Sequence, residues 1–246
     1  MEYGTSGFTL GTGSVVQVLT DTFTTISSLT PSTTYDWYVR AVCGAADSSG
    51  WTSVESFSTT ALSVSVPYAQ DFEGMNPLSD FTLSIGSNAT LLLDAGSNCA
   101  GTNSLHMAGG SSSGWSGSSS VTGTSATQAW VTNSTKKSSA LLSVDATTVT
   151  ASALELTFDL KQGWSYGPGY SWARVTVNGT QISPDYRPST QNADACTNRI
   201  LDLSAYIGTT FNLAFEFSGK YDDARGSGGN GDNGFFDNIE INPKTC

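Results

Sequence analysis

The chain has 246 residues, enough for one large domain or two small ones. Acidic residues outnumber basic residues by 21 to 10, and the net charge of -11 predicts that neither nucleic acid nor an anionic membrane is a partner. Charged residues are only 13% of the chain, a share typical of secreted, hydroxyl-rich β proteins. No apolar run is long enough for membrane insertion, and the first residues carry no signal peptide, so we expect a segment of a longer secreted chain.

Apolar and polar residues alternate through most of the chain. Short alternating runs, such as 15–18 and 23–29, are separated by Ser, Thr and Gly turns. A period of two residues predicts strands, whereas no window shows the capped periodicity of a long helix. We therefore predict an all-β fold.

The first 61 residues contain a recognisable string around one tyrosine. Residues 29–35 read Leu-Thr-Pro-Ser-Thr-Thr-Tyr, and strand-like segments follow at 37–43 and 57–60. The string resembles the tyrosine corner of a fibronectin type III domain, a fold of about 100 residues. The resemblance implies a partial immunoglobulin-like sandwich over residues 1–61 whose opening strands are missing.

Residues 62–246 contain a second series of strings. An early Phe72-Glu73 and a late Phe-Asp-Asn-Ile run at 236–239 bracket alternating segments at 103–110, 154–160, 201–204 and 211–217. This order resembles a MAM domain, which implies a two-sheet antiparallel jelly-roll sandwich. The two resemblances together imply a secreted or cell-surface multidomain protein of Bacteroidetes, a setting of adhesins and polysaccharide-degrading enzymes.

The four cysteines are not spaced like a metal site. In an extracellular chain disulfides are the default, and four cysteines allow three pairings. We favour a bond between Cys99 and Cys196, expect Cys43 to lack its partner, and expect Cys246 to close the final strand onto the body.

The resemblance also implies a structural Ca²⁺ ion. Strict alternation would place Asp237 on the face of Ile239 and Ile241, inside the core, where an unpaired carboxylate is costly. A cation with oxygen ligands would remove that cost, and so would backbone donors or an arginine. In MAM and related jelly-roll families the early Phe-Glu and the late Asp contribute to a calcium site. Carried over to this sequence, the implied ligands are Glu73, Asp237, Asp94 and Asp71.

A loop at 163–172 holds four aromatic residues among Gly and Pro. These side chains cannot all reach a core, and aromatic rings stack on the apolar faces of sugars. The alternative is a satellite cluster that pins the two strands. A Gly/Ser-rich stretch at 109–125 predicts a flexible loop with Trp115 folded back onto the body. The predicted ligand-binding residues are Trp164, Tyr166, Tyr170, Trp172, Arg174 and Tyr186.

Three carboxylates fall on strand faces directed away from the core. Glu155 and Asp159 lie four residues apart on one strand, about 13 Å, which is too far for a glycosidase pair. Asp159 and Glu216 could approach to about 5 Å if their strands were neighbours in one sheet. The alternative is that all three are solvated surface residues.

The sequence thus predicts a non-catalytic, extracellular adhesion or carbohydrate-binding module stabilised by calcium. Its expected partner is a polysaccharide or another surface protein, and it is expected to be a monomeric part of a larger chain. One alternative is a glycoside hydrolase or lyase that uses Asp159, Glu216 and Glu155. A second is a protein–protein adhesion or spacer module.

Overall fold

The structure is a computed structural model. It describes residues 1–18, 21–44, 47–95, 99–110, 115, 130, 134–164, 167–189, 195–221 and 231–244. The chain divides into two units, Met1–Leu62 and Ser63–Cys246, and each is described by itself. Within the described ranges, no helix is long and apolar enough to cross a bilayer.

Unit 1 is built on a four-stranded antiparallel sheet and a separate hairpin. The sheet has the order β2-β1-β3-β6, and β4 pairs with β5. The strands are β1 (Glu2–Thr5), β2 (Ser14–Val15), β3 (Thr34–Tyr38), β4 (Val42–Gly44), β5 (Asp47–Ser48) and β6 (Glu55–Ser58).

Tyr35 is the centre of packing in unit 1. Its ring lies 5.7 Å from Phe57 and 6.3 Å from Tyr3, and its hydroxyl accepts a 3.0 Å hydrogen bond from the Thr30 N–H. Apolar side chains elsewhere in the unit face solvent, since Phe23 is 75% exposed. Cys43 is exposed and free.

Unit 2 is a sandwich of two six-stranded sheets. Sheet I has the order β10-β11-β18-β13-β16, with β8 also paired to β18, and sheet II has the order β15-β14-β17-β12-β7, with β9 also paired to β12. All of these pairs are antiparallel except β7 with β12. The predicted all-β, two-sheet sandwich is confirmed. The strands are β7 (Val64–Ser65), β8 (Tyr68–Gln70), β9 (Phe81–Ile85), β10 (Ala89–Asp94), β11 (Ser104–Gly109), β12 (Lys137–Asp145), β13 (Ala153–Gly163), β14 (Ser171–Val177), β15 (Thr180–Gln181), β16 (Thr197–Asp202), β17 (Thr210–Gly219) and β18 (Asn233–Lys244), with short 3₁₀ turns at Ser134–Lys136, Pro168–Tyr170 and Ser204–Tyr206.

The core of unit 2 follows directly from the alternation of apolar residues. Along β13, every second residue from Leu154 to Leu160 is buried. Phe158 lies at the centre, 5.4 Å from the ring of Phe215 in sheet II and 6.0 Å from Phe236 in its own sheet. Truncating so buried an aromatic to alanine costs about 4 kcal/mol, so these contacts hold the two sheets together.

A β-bulge in β18 changes which face Asp237 occupies. Asn238 has a positive φ of 46°, and the pairing of β13 with β18 shifts register between Thr157 and Asp159. The extra residue breaks the alternation, so Asp237 pairs with Asp159 on the outer face of sheet I. The prediction that Asp237 shares a face with Ile239 and Ile241 is therefore wrong.

The predicted disulfide between Cys99 and Cys196 is confirmed. It ties the connection between β10 and β11 to the segment that enters β16, across 97 positions of sequence. Cys246, predicted to close the final strand, lies outside the described residues.

Candidate functional site

The outer side of β12, β14 and β17 in sheet II carries bulky and charged residues. Strand register places Trp172 opposite Ser218, and Ser218 opposite Lys137. One step along, Arg174 lies opposite Glu216. We call this surface, together with Trp130 and Trp115 packed over it, the tryptophan face.

Trp172 lies on the predicted outer face but is not accessible to a ligand. It is 0% exposed because Trp130 packs against it and Trp115 packs onto the pair. Its Nε1–H donates a 2.6 Å hydrogen bond to the carbonyl of Gly169. The prediction that Trp172 binds ligand directly is therefore wrong, and we assign it to the support of the site.

Sequence reasoning did not find Trp130. It lies 42 positions before Trp172 in a Ser/Thr-rich stretch without strand periodicity. The signal that could have found it is the one that singled out Trp115: a lone tryptophan in a polar segment has to find a surface on which to bury its area.

Tyr170 and Trp115 form the partly exposed edge of the tryptophan face. Their rings meet edge to face at 5.9 Å, and Tyr221 meets Tyr170 in the same way at 5.9 Å. The ammonium of Lys220 sits 4.0 Å from the centre of the Tyr170 ring. Burial alone would lower the pKa of Lys220, but its contacts with both tyrosines raise it. Trp115 folds back onto the body, as predicted.

Cations stack against the indoles of the tryptophan face. The Arg174 guanidinium lies 4.2 Å from the Trp130 ring centre and the Lys137 ammonium 5.9 Å from it. Arg187 covers Trp172 at 4.5 Å. Arg174 also donates through Nε to Glu216 at 2.5 Å. Contacts between a partly desolvated cation and an aromatic ring are worth about 1–2 kcal/mol each, so Arg174 is fixed in place.

The other predicted ligand-binding residues have different outcomes. Trp164 follows β13 and is partly buried, and its Nε1 has no hydrogen-bond partner among the described residues. Tyr166 lies outside the described residues. Tyr186 is only 7% exposed and packs in the core, 6.1 Å from Phe158. The prediction that Tyr186 forms part of a binding rim is therefore wrong.

The predicted cross-strand pair of Asp159 and Glu216 does not form, because the premise of a shared sheet is wrong. β13 belongs to sheet I and β17 to sheet II, so these carboxylates point away from each other on opposite outer faces. Glu155, on the face of Asp159, pairs with Lys244 at 3.0 Å. Asp159 accepts hydrogen bonds from the side-chain amide of Asn238 at 2.8 Å and from that of Asn198 at 3.0 Å.

The two main predicted calcium ligands hold one backbone segment, residues 99–103. Asp237 Oδ2 accepts from the N–H groups of Cys99 and Ala100 at 3.1 and 3.0 Å. Glu73 Oε1 accepts from the two N–H groups of residues 102 and 103 at 2.7 and 2.6 Å. Burial raises the pKa of Asp237, while the backbone N–H groups of Ala100, Asn238 and Cys99 act in the opposite direction and lower it.

The other two predicted calcium ligands lie apart from this segment's donors. Asp94 Oδ2 is 3.5 Å from Nδ1 of His106, and Asp71 Oδ1 accepts from the Glu73 N–H at 3.1 Å. Across the described ranges, no three acidic, His or Cys side chains gather as a metal site requires. Calcium binding therefore stays a prediction.

Comparisons with known proteins give structural neighbours only. No protein-family model and no curated protein matches this chain. The xylan-binding CBM22-1 domain of Paenibacillus barcinonensis Xyn10C is 14% identical, with a TM-score of 0.41 over 73% of this chain and 94% of that one. The family 11 carbohydrate-binding module of Clostridium thermocellum, in complex with a β-1,3-1,4-mixed-linked tetrasaccharide, is 12% identical, with a TM-score of 0.39 over 71% of this chain and 94% of that one. Both of these neighbours are carbohydrate-binding modules.

Proposed function

We propose that unit 2 is a carbohydrate-binding module whose ligand stacks on the tryptophan face. The observation that carries the proposal is a continuous aromatic cluster outside the hydrophobic core. Trp172 and Trp130 form its buried base, and Trp115 and Tyr170 form its partly exposed edge.

This arrangement has the properties that sugar recognition needs. A contiguous exposed apolar patch marks an interaction site, whereas apolar side chains that are exposed singly need no such explanation. A pyranose ring offers an apolar face of C–H groups to an aromatic ring and a rim of hydroxyls to polar side chains. Glu216 and Arg174 are fixed by their salt bridge. Glu216 can accept hydrogen bonds from such hydroxyls, and Arg174 can donate hydrogen bonds to them.

We also propose that unit 1 is an incomplete fibronectin type III domain and that unit 2 is MAM-like. The hydrogen bond from the Thr30 N–H to the Tyr35 hydroxyl supports the first assignment, because this contact defines a tyrosine corner. For unit 2 the support is the order of the sequence strings on a two-sheet sandwich. On these resemblances we place the chain in a secreted or cell-surface adhesion protein of Bacteroidetes.

Calcium is proposed from the resemblance alone, and a thermal melt tests it. If Glu73 and Asp237 hold a structural ion, millimolar Ca²⁺ would raise the melting temperature of the protein and a chelator would lower it. A melting temperature that is the same in calcium and in chelator would withdraw the ion and leave the backbone donors as the sole partners.

Native affinity electrophoresis tests the proposed function. Gels cast with different soluble polysaccharides should retard the wild-type protein in at least one case, and Trp115→Ala should weaken that retardation about tenfold because the stacking ring is lost. The matched control is Trp51→Ala, which removes a half-buried, arginine-stacked indole from unit 1.

Three results would contradict the proposal. Unchanged mobility in every gel would leave the spacer alternative, and equal effects of the two tryptophan variants would remove the site from the tryptophan face. A cleared zone after glycan staining would mean that the polymer is cut, which would favour the enzyme alternative.

A further inference from the structure

Hydrogen-bond donors without partners gather at one end of the tryptophan face. Trp130 Nε1 and Ser218 Oγ are both buried and have no hydrogen-bond partner among the described residues. The strand register places Ser218 between Trp172 and Lys137. Leaving such a group buried and unpaired costs about 1–3 kcal/mol, and no described residue offsets that cost.

The local charge at this point is also unbalanced. Two cations, Arg174 and Lys137, flank the Trp130 indole, and one carboxylate, Glu216, lies beside them. Glu216 is engaged by Arg174, while no described carboxylate lies within salt-bridge distance of Lys137. Burial first, and repulsion from Arg174 second, lower the pKa of Lys137, and Glu216 offsets this only in part.

The chemistry of these donors indicates which kind of hydrogen-bond partner they lack. An indole N–H and an ammonium can only donate, and a serine hydroxyl can donate as well. The partner that the Lys137 ammonium lacks among the described residues is therefore a hydrogen-bond acceptor with negative charge. Lys137 is partly exposed, so such a group can approach it from solvent beside the Trp130 indole.

We propose that the glycan bound at the tryptophan face carries an anionic substituent, a carboxylate or a sulfate, and that Lys137 binds it. The inference rests on the proposed function and extends it from glycans in general to acidic glycans. The chain's net charge of -11 opposes a polyanion at long range. At physiological ionic strength charges beyond about 8 Å are largely screened, so the local cations decide.

Three related polymers test the proposal: polygalacturonate, a sulfated galactan and a neutral galactan. The full chain should bind at least one of the two acidic polymers about tenfold more tightly than the neutral one in affinity electrophoresis, since a charged hydrogen bond is worth roughly one decade or more. Preference for polygalacturonate assigns a carboxylate, and preference for the sulfated galactan assigns a sulfate.

Lys137→Met should remove this preference for the acidic polymer, and Lys137→Arg should keep it. The matched control is Lys161→Met, because Lys161 lies 6.0 Å from the Phe235 ring on the outer face of sheet I and is predicted to have no effect. Equal affinity for acidic and neutral polymers, or equal effects of the two lysine-to-methionine variants, would overturn the inference while the proposed function stands. Failure to bind any glycan would overturn both.

Discussion

The two outer faces of the sandwich bury polar groups in different ways. On sheet I, Asp237 is fully buried but receives backbone N–H groups from residues 99, 100 and 238. His106 bonds Asn233 at 2.8 Å, although its Nδ1 and the hydroxyl of Ser104 have no hydrogen-bond partner among the described residues. On sheet II, Trp130 and Ser218 are equally buried, yet their donors meet no acceptor among the described residues. Unpartnered buried groups therefore occur on both faces. The faces differ because sheet I holds the segment at 99–103 and so stabilises the fold, whereas sheet II carries an aromatic cluster with cations stacked on it.

The largest expected effect is loss of the disulfide, which belongs to the stabilising face. The bond closes a loop of 97 positions, and in the chain-entropy account such a cross-link stabilises by about 5 kcal/mol. The double variant Cys99→Ser with Cys196→Ser should lower the free energy of unfolding of unit 2 by this amount in urea denaturation.

Cys43→Ser is the control for the disulfide, because Cys43 is an exposed free thiol in unit 1 and its loss should leave stability unchanged. A loss below about 1 kcal/mol in the double variant would mean that the fold holds residues 99–103 without the cross-link. In that case the comparison between the two faces would rest on Asp237 alone.

Asp237→Ala should have the next largest effect. The substitution leaves the backbone N–H groups of residues 99, 100 and 238 without their acceptor. This loss should lower the free energy of unfolding by about 3 kcal/mol. Its control is Asp159→Ala on the paired position of β13, where the partners are side-chain amides that can turn to solvent. Equal losses of stability in the two variants would show that the backbone donors do not set Asp237 apart.

The same two variants separate stability from binding. Because Asp237 and Asp159 lie on sheet I, neither substitution should change the affinity of the folded protein for a glycan bound on sheet II. A change in affinity for either variant, measured well below its unfolding midpoint, would move the binding site to the other face.

Sequence alternation predicted the strands and their buried sides but not the way the strands combine. The apolar residues of β13, β14 and β17 are buried where period two places them. Alternation says nothing about which sheet a strand joins, since both sheets bury one side. That is why Asp159 and Glu216 could be predicted as neighbours and yet lie on opposite faces.

Two further features of the site lay beyond local pattern. The bulge at Asn238 requires only one residue with a positive φ, and the alternation of apolar residues gives no sign of it. The bulge nevertheless moves Asp237 from the core face to the outer face of sheet I. The cover over Trp172 comes from Trp130, whose surrounding sequence carries no strand signal. Tertiary packing decides both, so sequence reasoning found the aromatic loop and missed the half of the site that covers it.

The smallest expected effect is a pH dependence that depends on Lys137. Its pKa is lowered from the ordinary 10.5 by burial and by Arg174, so its positive charge is lost at a lower pH than that of a solvated lysine. If an anionic glycan binds this charge, affinity should be level near neutral pH and fall as the pH rises through the lowered pKa. Arginine stays charged throughout this range, so the affinity of Lys137→Arg should no longer fall as the pH rises.

Titrations of wild type and variant with the same acidic polymer, from about pH 7 to about pH 10, measure the difference. Parallel curves would show that Lys137 does not carry the recognition, and the two outer faces would then differ in stability alone.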